Sequence, residues 1–314
     1  MQSDIPVSHA RLTPVSAVMS DGYVLPVKTW SSTDEPIAVV LAVHGFNDYS
    51  NAFDATARIF VDNLITTYAI DQRGFGATQQ HGVWAGLPIM QSDLVATANL
   101  LCDKHAGLPL FLLGESMGGG LILSAIQQLE QTCIQGVILS APAVWGWQIM
   151  PWWQTVPLIF FAHTLPEQTV TGEGLDIHPS DNIEMLRALG KDPLIIGETR
   201  IDALYGLTNL MEAALVNSEE LKVPALILYG EQDEIIPPIS FCEMLNNLPD
   251  RSASDWRLVF YPNGYHMLSR DLQGEVVIRD MVAWIHNQRA WLPSGQEVIQ
   301  GISEEVKAKK CISY

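Results

Sequence analysis

Gly114-Glu115-Ser116-Met117-Gly118 carries the strongest chemical signal in this 314-residue sequence. The five residues spell G-x-S-x-G and sit between an apolar run of strand length, Leu108 to Leu113, and an apolar segment of helical character. That context places the serine on a sharp strand-to-helix turn. Glycines two before and two after it let such a turn close without side-chain clashes, and the helix behind it directs its positive end to where an oxyanion would form. The chemistry this suits is nucleophilic attack by Ser116 on a carbonyl carbon, followed by acyl transfer.

A serine hydroxyl is a weak nucleophile at neutral pH, so it needs a base within reach and a third group to orient that base. With an elbow of this kind the acid and then the histidine follow the serine in the chain. His266, in Tyr261-Pro-Asn-Gly-Tyr-His266, follows the last strand-like run, whereas His286 falls inside the last helical segment and His178 lies far upstream. Asp233 ends the short loop Gly230-Glu231-Gln232 after another strand, with Glu231 and Glu234 as close alternates. The oxyanion would take two backbone N–H groups: that of Met117, next to the nucleophile, and that of Phe46 in His44-Gly45-Phe46-Asn47, after an earlier strand. His44 reads as a packed strand-end histidine, and Asp71-Gln72-Arg73-Gly74-Phe75-Gly76 as a turn with salt-bridging or capping duties.

The elements that must position these groups are legible as short apolar runs alternating with segments of helical period, the pattern of a parallel sheet covered by helices. Val15 to Met19 and Tyr23 to Trp30 flank Ser20-Asp21-Gly22 as a hairpin. Further strands are expected at Ile37 to Val43, Ile65 to Ile70, Leu108 to Leu113, Ile134 to Leu139, Val223 to Leu228 and Trp256 to Tyr261, and helices at Ala52 to Asn63, Gln91 to His105, Gly119 to Gln131, Pro238 to Asn247 and Asp271 to His286. The last helix would take Ser269 as its N-cap and present Val276, Val277, Met281, Trp284 and Ile285 as its apolar stripe. About 80 residues separate the sixth strand from the seventh, whereas a βαβ unit needs roughly 30 or more. The surplus predicts an inserted cap, mostly helical from Asn182 to Asn217.

These motifs together resemble the α/β-hydrolase superfamily, and within it the monoacylglycerol lipase and lysophospholipase group that is classed with the S33 serine aminopeptidases. The residues carrying the resemblance are His44-Gly45-Phe46, Asp71 to Gly76, Gly114 to Gly119, Gly230 to Asp233 and Tyr265-His266. It runs from about Ala17 to Trp291, and it departs from the group at Glu115, where many such lipases have histidine. The resemblance implies a mostly parallel twisted sheet with helices on both faces and a helical cap inserted after the sixth strand. The core would be residues 1–142 and 222–291, the cap 143–221, and 292–314 a tail. It also implies a serine ester hydrolase needing no metal or organic cofactor.

Residues 145–161 contain four tryptophans and no charge. Pro151 and Pro157 interrupt this stretch, so it is read as a cap wall rather than a membrane span. Trp145, Trp147, Met150, Trp152, Trp153 and Phe160 are its candidate substrate-binding side chains. Elsewhere in the insert the carboxylates of Glu167, Glu173, Asp176, Asp181, Glu184, Asp192, Glu198, Asp202 and Glu212 are expected on the solvated exterior. The whole chain carries a formal charge of −18 and is 48% hydrophobic, which disfavours nucleic acid and anionic membrane surfaces as partners. A neutral ester or lipid substrate fits best, monoacylglycerols first, with transient contact at a lipid interface. Lysophospholipids, amide or aminopeptidase substrates and acyl transfer to another alcohol are alternatives on the same triad, and a non-catalytic ligand-binding module is the alternative of another class. Nothing in the sequence speaks to the oligomeric state. Cys102, Cys133, Cys242 and Cys311 lack C-x-x-C spacing and are expected as reduced thiols. No secretory signal is visible at the amino terminus, which predicts a cytoplasmic protein or one whose signal has been removed.

Overall fold

The computed structural model describes residues 9–129, 132–172, 174–250 and 255–298. Eleven strands occur among them: β1 (Arg11–Leu12), β2 (Ser16–Val18), β3 (Val24–Trp30), β4 (Ala38–Val43), β5 (Ile65–Ile70), β6 (Leu110–Glu115), β7 (Ile134–Ser140), β8 (Thr169–Val170), β9 (Thr199–Arg200), β10 (Ala225–Gly230) and β11 (Trp256–Tyr261). The helices are α1 (Asp54–Asp62), α2 (Leu87–Lys104), α3 (Met117–Ser124), α4 (Ile126–Leu129), α5 (Trp152–Thr164), α6 (Ile183–Leu189), α7 (Ile201–Asn217), α8 (Pro238–Asn247) and α9 (Gly274–His286).

Nine strands form one sheet in the order β1-β2-β3-β5-β4-β6-β7-β10-β11. The pairs from β5 through β4, β6, β7 and β10 to β11 are parallel, and only the amino-terminal strands run antiparallel. Every residue of β4, β5, β6 and β10 is buried, which is why these strands read as unbroken apolar runs rather than alternating ones. Two cores flank the sheet. One collects Met90, Leu94 and Leu101 of α2, Leu121 of α3, Leu210 of α7 and Phe241 of α8. The other collects Phe60 of α1 with Val277, Ile278, Met281, Trp284 and Ile285 of α9.

The expected strands and helices are present, with differences at their ends. The segment Gly119 to Gln131 is broken at Ala125 into α3 and α4, and Gln131 lies outside the described residues. Ser269 does not cap α9: it belongs to a 3-10 turn, Leu268–Arg270, and Gln273 holds the cap position without a side-chain bond. Val276 is exposed and Ile278 takes its place in the buried stripe, because Val277, Ile278, Met281, Trp284 and Ile285 share one face at helical spacing and Val276 falls beside it. The insert follows the seventh strand rather than the sixth, since the two-residue β1 has too little apolar signal to be read alone. It contains α5 to α7 and a two-stranded β8–β9 ribbon.

The thiol expectation is overturned for all three described cysteines, Cys242 being disulfide-bonded as well. Cys102 near the end of α2 and Cys133 at the entrance to β7 are joined in a disulfide, their Cα atoms 5.9 Å apart. Crossing the sheet brings together two residues 31 positions apart, a proximity that no short motif encodes. Cys311, Glu173 and most of the 292–314 tail lie outside the described residues. No described helix is long and apolar enough to cross a membrane.

Candidate active site

β6 delivers Ser116 to the carboxyl edge of the sheet. The turn is tight enough that a Cβ on Gly118 would lie 1.9 Å from Val43 O, and one on Gly114 2.5 Å from Gly119 N, so the two glycines of the motif are a steric requirement. Ser116 itself sits at φ 52° and ψ −116°, in the left-handed half of backbone space that L-residues avoid. Its amide donates to Ser140 O on β7, and its carbonyl accepts from Gly120 and Ala143, which hold the strained turn in place. Met117 begins α3, so its N–H is one of those left without an intrahelical acceptor.

Asp233 and His266 come from loops after the neighbouring strands β10 and β11. Those loops are stitched together by Glu231 N to Tyr261 O (3.0 Å) and Gln232 N to Gly264 O (2.9 Å). His266 Nδ1 lies 2.8 Å from Asp233 Oδ2, and Asp233 Oδ1 accepts from Ile235 N (2.8 Å) and Ile236 N (3.0 Å). Burial alone would push the His266 imidazole down. The charge and hydrogen bond of Asp233 overcome that, with Glu115 helping and Arg270 opposing, and the net direction is up. Glu234, one of the alternates, instead accepts from His178 N at the surface.

The Phe46 loop leaves β4 at His44, and Asn47 turns it with φ 63°. His44 is fully buried; its Nε2 accepts from Gln72 N (3.0 Å), and its Nδ1 lies 2.7 Å from Gly45 O. Burial depresses its pKa, and the ring serves as a neutral brace between two loops, as the sequence suggested. Asp71 accepts from Ser50 N and Ala77 N, and Arg73 forks onto Asp93 while also meeting Asp21, again structural duties.

A cavity of about 640 Å³ opens over these groups, lined by Ser116, His266, Gly45 and Phe46 and by side chains of the insert. Of the six cap candidates, Trp145, Met150 and Trp153 line it. Trp147 does not: its backbone donates to Glu212 (2.7 Å) and its indole to Asn209 (3.0 Å), which fixes the start of the insert to α7 at the insert's end. Trp152 and Phe160 face outward, 76% and 59% exposed. Sequence reasoning missed the contribution of α7, where Leu204, Leu207, Thr208 and Met211 repeat at helical spacing toward the cavity. Glu212, expected on the solvated exterior, is half-buried beneath Trp147, and Asp192 is tied to the Tyr49 hydroxyl at 2.7 Å.

A third set of groups, absent from the motif search, sits beside the nucleophile. Arg270 is buried in the cavity wall; its Nη1 donates to Asp48 Oδ2 (2.7 Å) and its Nη2 to Glu115 Oε1. Burial works against the guanidinium charge, and the two carboxylates more than restore it.

Residues 34–273 match the family described as serine aminopeptidase, S33. The chain belongs to that family. A monoacylglycerol lipase of Mycolicibacterium smegmatis is 25% identical over 262 residues, covering 82% of this chain and 90% of that one. A human monoglyceride lipase is 25% identical over 285 residues, with coverage of 87% and 90%. The solved structure of a soluble variant of monoglyceride lipase from Saccharomyces cerevisiae, in complex with a substrate analogue, superposes with a TM-score of 0.71 at 22% identity, over 89% of this chain and 97% of that one. The structural likeness establishes the α/β-hydrolase fold for this S33 member.

Proposed function

We propose that the protein is a serine carboxylic-ester hydrolase acting on neutral lipid-like esters, monoacylglycerols foremost, through an acyl-enzyme on Ser116. The observation that carries this reading is a single cavity lined both by Ser116 and His266 and by a mainly apolar set of side chains from α5 and α7. Relatives named monoacylglycerol or monoglyceride lipase, aligned over most of the chain, support it. Each buried methylene of an acyl chain contributes about 0.8 kcal/mol, so apolar walls select for chain length.

In the first half-reaction His266 takes the Ser116 proton as Oγ bonds to the carbonyl carbon, and the Phe46 and Met117 amides receive the oxyanion. The bond to the alcohol oxygen then breaks and that oxygen takes the proton from His266. In the second half, water gives a proton to His266 and adds to the acyl carbon, and collapse returns the proton to Ser116 as the acid leaves. Asp233 fixes the ring tautomer and stabilises the imidazolium.

A neutral headgroup is favoured over a phosphorylated one because both terminal nitrogens of Arg270 are already committed to carboxylates. The same pairing engages both Asp48 and Glu115, so although the trio keeps one net negative charge, neither carboxylate is left unpaired for the substrate ammonium that an aminopeptidase would bind. The exposed apolar side chains of α5 suit transient contact with a lipid interface, over a core at 1–142 and 222–291 and a cap at 143–221. The Cys102–Cys133 disulfide favours an oxidising compartment over the cytoplasmic one expected from reduced thiols. The test is a panel of nitrophenyl esters of rising chain length, monoacylglycerols, lysophosphatidylcholine and amino-acid anilides, with fluorophosphonate labelling of wild type and Ser116→Ala. The expected result is labelling lost in the variant and monoacylglycerols turned over ahead of the other lipids and anilides. Faster turnover of lysophosphatidylcholine or the anilides would overturn the substrate assignment.

A further inference from the structure

Arg270 stands four residues after His266, yet its side chain reaches two other loops. Asp48 lies two residues past Phe46, on the loop that leaves β4, and Glu115 immediately precedes Ser116 on the elbow. One cation therefore joins the loops that carry the oxyanion-hole amide, the nucleophile and the histidine. The packing around it is close: a Cβ placed on Gly45 would lie 3.3 Å from Ser116 Cβ and 3.9 Å from Glu115 Oε1, so the Glu115 carboxylate lies against the Phe46 loop as well as against Arg270. Arg270 is also held at its backbone, its N–H donating to Met267 O (2.8 Å) and its carbonyl accepting from Asn182 Nδ2 of the insert (3.0 Å).

Burying three charged groups is a poor way to gain stability, because well-packed apolar side chains of similar volume do as well or better. Placing them across three loops that must keep a fixed mutual geometry has a different benefit, since small displacements of reacting groups cost rate steeply. We infer that Asp48, Arg270 and Glu115 form a positioning clamp, in which one guanidinium holds the Phe46 loop, the Ser116 turn and the His266 loop in register. The inference rests on the acyl-enzyme reading above.

The clamp also sets the charge around the imidazole. Asp233 acts on it from the loop after β10 and Glu115 from the end of β6; Asp48 lines the same cavity from the Phe46 loop, and Arg270 and Asp271 belong to the ring's own loop, while the residues that the insert contributes to the cavity are uncharged. Glu115 favours the protonated ring and Arg270 disfavours it. The two members of the clamp therefore act in opposite directions on the same proton.

The experiment is the pH profile of kcat/KM on a soluble short-chain nitrophenyl ester for wild type, Glu115→Gln, Arg270→Gln and Arg270→Lys, with Ser116→Ala as the control for the underlying reading. Glu115→Gln should move the acid limb to lower pH and Arg270→Gln to higher pH, with kcat down by about ten- to a hundredfold in each and KM little changed. Arg270→Lys keeps the charge but loses the fork, so it should leave the limb near wild type while kcat still falls. Should Arg270→Gln fail to fold, the contrast between Glu115→Gln and Arg270→Lys decides the matter. Unmoved limbs, or limbs moving in the same direction, would overturn the clamp. Persistent turnover by Ser116→Ala would instead overturn the acyl-enzyme reading.

Discussion

His266 Nδ1 and Asp233 Oδ2 meet at 2.8 Å although 33 residues separate them, because each ends a loop on one of two adjacent parallel strands. The second oxygen of Asp233 is fixed by two backbone amides, so the carboxylate cannot rotate away from the ring without losing both bonds. Asp233→Asn should therefore leave the fold intact but allow the wrong tautomer, lowering kcat by about 10⁴-fold. Because Asp233 raises the pKa of His266, and activity requires the neutral ring, the residual activity should also persist to lower pH than in wild type. The pH profile of kcat/KM checks both; a variant within tenfold of wild type would remove Asp233 from the triad.

How much of this site could be read in the sequence follows from how local each feature is. The elbow is five consecutive residues whose glycines answer clashes with Val43 and Gly119, and the strands that carry Ser116 and Asp233 are continuous apolar runs because both their faces are buried. These leave a signature within one window. The partners of Arg270 lie 155 and 222 residues away, so the clamp appears only once the loops after β4, β6 and β11 have been brought to one edge of the sheet. The α7 lining was missed for another reason. Leu204, Leu207 and Met211 have the spacing of any core helix, and indeed Leu210 and Ala214 of the same helix pack against the sheet core, so periodicity could not say which face met a cavity. Trp152 and Phe160 were overvalued because tryptophan and phenylalanine density marks an apolar surface without saying which way it faces.

Asp271 offers a pH test of stability that is independent of the chemistry. Burial pushes its carboxyl up to about 6, against hydrogen bonds from Ser180 Oγ (2.6 Å) and Tyr265 N (2.8 Å) that favour the charged form. A raised carboxyl pKa means that the folded protein holds the proton more tightly than the unfolded chain, so this group's contribution to stability falls as pH rises from about 4 to about 6. Asp271→Asn removes that dependence. Its Tm relative to wild type should accordingly be more favourable at pH 7.5 than at pH 4, as measured by thermal unfolding at the two values. A difference that is flat or of opposite slope would show that Asp271 ionises freely.

The disulfide tests the packing between α2 and β7. Cross-linking residues 31 apart should contribute about 4 kcal/mol by restricting the unfolded chain. Cys102→Ser together with Cys133→Ser should lower the denaturation midpoint by an amount matching that loss while leaving kcat/KM near wild type, since neither residue lines the cavity. Guanidinium unfolding monitored by fluorescence measures it, and alkylation that adds two fewer groups to the double variant than to wild type after reduction, with no difference before it, checks that the bond forms.

The outward and inward faces of α5 should separate in function. Gln154, Leu158, Pro157 and Trp153 line the cavity, Trp153 at its rim and itself 59% exposed, whereas Trp152, Val156 and Phe160 are exposed away from it, and the helix has no fully buried residue. An apolar face left in water next to a cavity mouth is stabilised when it meets a lipid surface, where its aromatic side chains bury apolar area. Trp152→Ser with Phe160→Ser should therefore reduce turnover of long-chain monoacylglycerol presented in vesicles by about tenfold, equivalent to about 1.4 kcal/mol of lost interfacial binding, and leave hydrolysis of a soluble short-chain ester unchanged. Trp153→Ala should do the reverse in part, lowering turnover of medium-chain soluble esters because the wall that contacts the acyl chain is shortened. Kinetics of both variants on both substrate forms, with vesicle co-sedimentation of the first, decide it; equal losses on soluble and vesicle-borne esters would show that α5 acts only as a wall.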